Sequence, residues 1–428
     1  MDNTQIPKHR RRVVTSVTFA GYEGLNQALT LALGLLVVRN MPTTEYGYYV
    51  ICISAVGLCN SLASSGLSSG FRKIGGEVHE DSGRLSTLYM SAVGERRLQS
   101  LFVIPACVAV VAALLWRQEQ DMGKTLLLCL LVVANATPEL WRAISVEVLL
   151  LKSAWRRVQA QNLMGILVRL ALILPLLTFG LNAEGMLLVN AAALWIIGWT
   201  TYRAAERMLA LPAKESSEQR REIRSIMNLV MPNAMFSAGH QQLGTFLLAS
   251  RGSVTAVADL GALTRLTSIF SIGVSAVAQI VAPKFSKTLA PRAMRQLYWG
   301  VLLLIATVAI AVLAVTAFFP AQLLWVLGPK YAHLQGPLLL AACLVMLQFA
   351  KAVTARMNQA KAWILRTAKW NIPLTLAAIG GGLLVFDTGT LEGVLSLMIL
   401  SGVPMLLLYL ADAQKGFHLA QHKEGVAS

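Results

Sequence analysis

Charged residues are scarce in this chain. Only 14% of its 428 residues are charged and 56% are hydrophobic, whereas a soluble globular domain carries about 25% charged residues. A chain of this length could bury a large core and still keep a charged surface. The deficit therefore argues against an ordinary soluble enzyme and indicates that lipid surrounds most of the chain.

Acidic residues are particularly few. The chain has 21 Asp and Glu against 37 Lys and Arg, which gives a net charge of +16. A basic excess gathered on one domain is typical of nucleic-acid binding, but here the basic residues recur in short clusters between apolar runs. That arrangement is typical of a membrane topology, so we expect a lipid bilayer as partner and no nucleic acid.

Cysteine is rare as well, and no two cysteines have a C-x-x-C spacing. All five lie inside apolar runs: Cys52, Cys59, Cys107, Cys129 and Cys343. We interpret them as small buried hydrophobic residues, not metal ligands or a disulfide framework. The loops also contain no nucleophile constellation, acid–base pair or nucleotide motif. We therefore expect no catalytic residues, no metal, no cofactor and no enzymatic activity.

Long apolar runs make up most of the sequence. A transmembrane helix needs about 20 mostly apolar residues, and the pattern predicts twelve of them. They are 14–38, 46–69, 98–116, 125–150, 160–180, 184–203, 226–250, 257–282, 297–326, 334–355, 365–386 and 389–411. The predicted fold class is an all-α polytopic membrane protein of about twelve helices. Segment 70–97 is predicted to be a cytoplasmic loop with a short surface helix.

The positions of Lys and Arg orient the predicted helices. Only five of these residues lie at the ends that would face outward: Arg39, Arg117, Lys124, Arg251 and Lys330. Most of the others cluster in the alternate linkers, and cytoplasmic segments of membrane proteins carry such an excess. We therefore predict that both termini are cytoplasmic.

The longest polar stretch, 204–225, divides the chain into two predicted six-helix lobes, 1–203 and 226–428. The lobes look related, because a shift of 214 residues places Glu45-Tyr46-Gly47 on Asp259-Leu260-Gly261 without a gap. Since the first helix of each lobe runs outward, the repeat is parallel, with a pseudo-two-fold axis along the membrane normal. Such an axis predicts a substrate site between the lobes.

Four cations lie inside the predicted spans: Arg142, Arg169, Arg265 and Lys351. A cation at the bilayer centre costs about 2.5–3.5 kcal/mol on insertion scales, and is tolerated best beside a water-filled cavity or an anion. A shift of 209 residues places Arg142 on Lys351. We therefore predict that these two cations face one central cleft and bind an anionic substrate, with Arg169 and Arg265 as further candidates.

Three of these four cations also have a local alternative to facing a cleft. Glu139 precedes Arg142 by three residues, a spacing that favours an ion pair on one helix. Lys351 could extend toward the nearby interface. Arg265 could pair with Asp259 or Glu23, whereas Arg169 has no evident partner in the sequence.

Polar residues also form a stripe on the first helix and on its repeat partner, the seventh. The stripes are Glu23, Asn26, Gln27 and Thr30, and Asn233, Ser237, His240, Gln241 and Gly244. Their spacing places each set on one helix face, so Asn26, Gln27, His240 and Gln241 are candidate substrate contacts. The alternative is hydrogen bonding between helices, worth about 0.6 kcal/mol per contact in a membrane. Glu23, Glu139 and His240 are candidates for binding a coupling ion.

Two short segments carry a family resemblance. The segment Arg39–Gly47, RNMPTTEYG, resembles the signature of bacterial O-antigen flippases, in which an Arg, a Pro and an acidic-aromatic-Gly triplet close the first hairpin. Leu327–Tyr331, LGPKY, is similar to the matching Gly-x-x-aromatic element after the ninth helix. Together with the twelve-helix topology, the resemblance covers essentially the whole chain. This family belongs to the multidrug/oligosaccharidyl-lipid/polysaccharide exporter superfamily.

The resemblance implies a function. A member of this family would flip an undecaprenyl-pyrophosphate-linked oligosaccharide across the bacterial inner membrane, for a surface or secreted polysaccharide, beside a polymerase and export machinery. Two other readings stay open. One is a cation-coupled multidrug exporter of the same superfamily, which should carry acidic residues in its cavity. The other is a membrane polysaccharide polymerase or ligase, which should carry a large external loop.

Overall fold

The computed structural model describes residues 8–64, 66–210, 212–268, 281, 284–286, 288 and 290–427, with the side chains of 8–20, 420 and 422–427 outside the description. All regular secondary structure in this part is helical, which confirms the predicted all-α class. The chain packs as two compact units, residues 1–250 and 251–428.

The described part of the first unit contains eight helices. They are α1 (Lys8–Asn40), α2 (Thr43–Ser64), α3 (Leu67–Val78), α4 (Ser82–Arg117), α5 (Met122–Leu151), α6 (Trp155–Phe179), α7 (Ala183–Glu206) and α8 (Ser217–Arg251), the last of which ends at the unit boundary. The predicted loop 70–97 is mostly helical, because α3 and the first half of α4 occupy it. Only the stretch between α7 and α8 remains of the predicted linker 204–225. The division into lobes at that linker stays a prediction.

The second unit contains six helices and one 3₁₀ helix in its described part. They are α9 (Val254–Thr267), α10 (Pro291–Phe318), α11 (Pro320–Trp325), the 3₁₀ helix Pro329–Leu334, α12 (Gln335–Ala360), α13 (Leu365–Val385) and α14 (Leu391–Ala427). The predicted span 297–326 is thus two helices, α10 and α11. The part of the predicted span 257–282 that follows Ser268 lies, except for Val281, outside the described residues.

Nine helices in the described residues are long and apolar enough to cross a membrane. The other three predicted spans fall on α1 and α8, which carry many polar residues, and on α9, which is 14 residues long as described. Large apolar side chains such as Leu101, Phe102 and Leu303 are more than 60% exposed on the isolated chain. Such surface is stable in lipid and not in water, so the chain is a polytopic membrane protein, as predicted.

The two units repeat the same local contacts. The Lys152 ammonium donates to the His79 carbonyl at 2.6 Å, and Lys361, 209 residues later, donates to the Thr288 carbonyl at 2.8 Å. Ser153 and Ala362, which follow these lysines, both have positive φ, 58° and 56°. A non-glycine residue in this conformation is uncommon, so finding it at the same repeat position twice supports the duplication.

A second repeated contact joins the acidic residue of the family-like motif to a base. Glu45 on α2 pairs with Lys124 on α5 at 2.6 Å. In the other unit Asp259 on α9 pairs with His333 at 3.1 Å. The acidic residues are 214 positions apart and the basic residues 209 positions apart, the same two shifts that align the halves of the sequence. The acidic position of the motif therefore has a structural role, since it ties α2 to α5 in the first unit and α9 to the 3₁₀ helix in the second.

A buried carboxylate holds the start of α8 against α4. Glu95 is 1% exposed, and its oxygens accept from Arg220 Nε at 2.9 Å and from Arg224 Nη2 at 2.8 Å. Ser91 Oγ, one turn earlier on α4, accepts from the Ser216 amide at 2.9 Å. The segment that enters α8 is thus fixed to the first unit. This contact is not predictable from the sequence, because it joins two stretches that the pattern predicts to be separate cytoplasmic segments.

Removing the two sides of this cluster should have unequal effects. We expect Glu95→Gln to lower the free energy of unfolding by about 1–3 kcal/mol, because both arginines can reach water. The double variant Arg220→Gln/Arg224→Gln should lose about 3–5 kcal/mol, because it leaves a buried carboxylate without a cation. Thermal unfolding of the purified protein measures both, with Arg221→Gln, exposed on the same helix, as control. Equal losses would contradict the assigned burial of Glu95.

Candidate functional site

The polar stripe of α1 packs against α6 in the first unit. The Gln27 side-chain amide donates to Glu23 Oε1 at 2.9 Å, and the Gln159 amide donates to Glu23 Oε2 at 3.0 Å. Asn26 donates to Gln159 Oε1 at 2.8 Å. Among the described side chains, the partners of the Glu23 carboxylate are therefore two neutral amides. A carboxylate held in this way can still accept a cation or a proton.

Gln159 is the residue of this cluster that the sequence analysis missed. It lies in the first turns of α6 and is buried, although it falls between the predicted spans 125–150 and 160–180. The polar stripe of α1 therefore forms hydrogen bonds between helices, which is the alternative to substrate contact given above. Since the side-chain oxygen Oδ1 of Asn26 is buried without a described partner, the cluster retains capacity to bind a further donor or cation.

Arg142 forms the local ion pair considered as its alternative. Its Nε and Nη2 donate to the two Glu139 oxygens at 3.1 and 3.0 Å, and Nη1 lies 3.4 Å from Asn162 Oδ1. Both partners of the pair are partly exposed. A guanidinium has five N–H donors, so this arrangement leaves some of them for an additional anionic oxygen. Glu139 fixes the orientation of Arg142 and neutralises part of its charge.

The other candidates of the first unit are partly buried or exposed. Arg169 is partly buried on α6 and has a contact partner. His240 on α8 is partly buried, with its ring stacked on Phe236 at 6.3 Å between centroids. Gln241 is exposed. It is the neighbouring Gln242 whose amide nitrogen approaches α2 near Gly57. Their assignment as substrate contacts stays a prediction.

Lys351 is the most buried of the predicted site cations. It lies on α12 in the second unit and is 8% exposed. Its ammonium sits against α14, 3.6 Å from the point where a Cβ on Gly402 would lie. No described residue forms an ion pair or hydrogen bond with it. An ammonium in such a place is expensive to keep, and its burial disfavours the alternative in which it extends to the interface.

Arg265 is in the last turn of α9 and is partly buried. Asp259, one of the partners considered for it, lies at hydrogen-bond distance from His333, 3.1 Å. Arg265 does have a contact partner. No group of three or more potential metal-ligating side chains occurs in the part of the chain that the structure describes.

Comparison with solved structures finds the same fold in transporters. The chain is similar to a structure titled as the lipid II flippase MurJ in an inward closed conformation, with a TM-score of 0.71 and 11% identity over 94% of this chain and 90% of that one. It is similar to a multidrug resistance MATE family transporter of the MOP superfamily in the inward-facing conformation, with a TM-score of 0.65 and 14% identity, covering 94% and 96% of the two chains.

A third structure, an outward-facing MATE family transporter, gives a TM-score of 0.59 at 14% identity and covers 94% of this chain and 95% of that one. No model of a known protein family matches the sequence, and no curated protein matches it either. At these identities the likeness shows a shared fold along nearly the whole length of each chain. The predicted topology of about twelve helices in two similar halves is thereby confirmed.

The bond between Asn26 and Gln159 can be tested by a double-mutant cycle. We expect Asn26→Leu and Gln159→Leu to destabilise the protein singly, and the double variant to lose less than their sum by about 0.6 kcal/mol, a typical coupling for a hydrogen bond between membrane helices. Unfolding of the purified protein in detergent gives the three values. Strict additivity would mean that α1 and α6 do not meet at these side chains.

Proposed function

We propose that this chain is a flippase that moves undecaprenyl-pyrophosphate-linked oligosaccharide units across a bacterial inner membrane, with both termini in the cytoplasm. The transported units would supply a surface or exported polysaccharide, and a polymerase and export machinery would be the partners downstream. In this mechanism the hydrocarbon tail stays in lipid while the pyrophosphate passes along membrane-embedded cations, by alternating access.

The observation that carries the proposal is the buried Lys351. A buried ammonium without a partner costs several kcal/mol, so a cation that served only stability would be replaced by an apolar residue without loss. A phosphate oxygen would supply the missing partner and would form a short, strong charge-assisted bond with it. We infer that Lys351 contacts the pyrophosphate of the substrate during translocation.

Arg142 supports the same substrate class from the first unit. Its pair with Glu139 leaves guanidinium donors unused, and a planar guanidinium suits phosphate oxygens. The positive charge at this repeat position occurs in both units, as Arg142 and Lys351. That these two cations face one cleft remains a prediction from the repeat, as do contacts of the substrate with Arg169, Arg265, His240 and Gln241.

The shared fold adds support without deciding the substrate. One similar structure is titled as a lipid II flippase and two as multidrug transporters. The short connections between described helices, such as 118–121 and 180–182 in the first unit, leave little room there for the large external loop expected of a polymerase or ligase. We therefore place a transporter ahead of an enzyme.

A cation-coupled multidrug exporter is the second candidate, and Glu23 favours it. Its carboxylate is bound by two neutral amides, so a bound cation or a proton could neutralise its charge. Glu139, the other acidic candidate, is already neutralised by Arg142. A coupling ion at Glu23 is also compatible with a flippase, so the substrate has to be tested through the cations.

The first test replaces Lys351 with the apolar Met. We expect Lys351→Met to abolish polysaccharide export while raising the melting temperature of the purified protein, because it removes an unpaired buried charge. Export is measured as polymer at the cell surface or in the medium, at equal protein levels. Lys369→Met, an exposed lysine of α13, should change neither value. Normal export by Lys351→Met would refute the assigned role.

The second test separates the two roles of Arg142. If Arg142 only neutralises Glu139, the double variant Glu139→Gln/Arg142→Gln should restore the export that Arg142→Gln loses. If Arg142 binds phosphate, we expect the double variant to stay inactive although its stability recovers. Restored export by the double variant would show that Arg142 is not part of the substrate site. In a separate assay, efflux of a lipophilic cation by the wild type, without polymer export, would favour the multidrug exporter.

A further inference from the structure

Arg96 is a completely buried arginine in the first unit. It lies on α4 and is 1% exposed, which makes it one of the largest fully buried side chains described. None of its three guanidinium nitrogens has a hydrogen-bond partner among the described residues. Arginine stays charged at any physiological pH, so a full positive charge is enclosed here.

The two carboxylates at this part of α4 are paired with other arginines. Glu95, the preceding residue, accepts from Arg220 and Arg224, and Glu215 accepts from Arg220. Adjacent helix residues point about 100° apart, so Glu95 faces α8 while Arg96 points elsewhere. These five residues comprise two carboxylates, Glu95 and Glu215, and the three guanidinium ions of Arg96, Arg220 and Arg224. Arg96 is the one of the three arginines that has no described carboxylate partner.

The surroundings of this charge are poor in compensating groups. The Cys59 thiol of α2 is close enough to interact with the guanidinium, and Cys59 itself packs in an apolar cluster with Cys107, Ala63 and Leu140. An unpaired charge in such surroundings is strongly destabilising. Because Arg96 is enclosed, its guanidinium cannot relieve this cost by extending to water or to a lipid headgroup.

Two polar acceptors on the same pair of helices also lack described partners. They are the side-chain oxygens of Asn60, next to Cys59 on α2, and of Gln99, one turn after Arg96 on α4. Buried water can bridge such amide oxygens to guanidinium donors, but neutral groups cannot balance a charge. The balance requires an anion.

We propose that Arg96 binds an occluded monovalent anion of halide size, such as chloride, with water linking the site to the two amides. The size follows from the burial, since a phosphate or a lipid headgroup could reach Arg96 only if α2 and α4 separated. The anion is a resident part of the first unit. It is distinct from the proposed cargo, whose candidate contacts are Arg142 and Lys351.

The test uses the purified full-length protein in detergent with chloride exchanged for gluconate, an anion too large for an enclosed site, at constant ionic strength. We expect chloride and bromide to raise the melting temperature by about 2–4 °C over gluconate. After gel filtration in bromide, elemental analysis should find about one retained bromide per chain, the stoichiometry of a single site. Arg97→Gln, the exposed neighbour, should behave like the wild type.

Arg96→Gln should lose both the bromide and the response of the melting temperature to halide. If that variant does not fold, the bromide content of the wild type and of Arg96→Lys still decides. Equal melting temperatures in chloride and gluconate, with no retained bromide, would overturn the proposal. Stabilisation by phosphate but not by halide would overturn it as well, because it would mean an open site of another class.

Discussion

Charge inside an apolar solvent is the constraint on which this structure depends. The bilayer offers no hydrogen bonds to a side chain, so each polar group in the described helices must find a partner in the protein or hold a ligand. Most do find one. Glu23 is bound by amides, Arg142 by Glu139, and Glu45 by Lys124. Against this background Lys351 and Arg96, which are buried and have no described partner for their charge, are the exceptions.

The duplication explains why polar contacts recur at equivalent places. The contacts of Lys152 and Lys361, and the ion pairs of Glu45 and Asp259, tie helices together in the same way within each unit. They lie at helix ends, where backbone groups are free of intrahelical bonds. The interiors of the helices have diverged further, since Glu139 has no acidic counterpart near Lys351. The contacts at the helix ends are thus repeated in the two units, whereas the ion pair of Arg142 with Glu139 is not.

The sequence predicted the fold well because apolar runs of membrane length are a local signal. The duplication was also visible, since shifts of 214 and 209 residues align charged positions without gaps. Contacts between distant segments were not predictable. Glu95 and Arg220 are 125 residues apart and meet through the packing of α4 against α8. Gln159 belongs to α6 although it precedes the apolar part of that helix. The burial of single charged side chains was not predictable either, since nothing in the sequence distinguishes the exposed Arg97 from the enclosed Arg96.

The central claim, that membrane-embedded cations recognise a lipid-linked pyrophosphate, is tested most directly by binding to the purified protein. Native mass spectrometry would compare undecaprenyl pyrophosphate with neutral undecaprenol and with a lipophilic cation such as tetraphenylphosphonium. The account predicts that the pyrophosphate lipid binds at least about tenfold more tightly than undecaprenol, and that Lys351→Met removes the difference. Equal binding of the two lipids, or a preference for the cation, would contradict it.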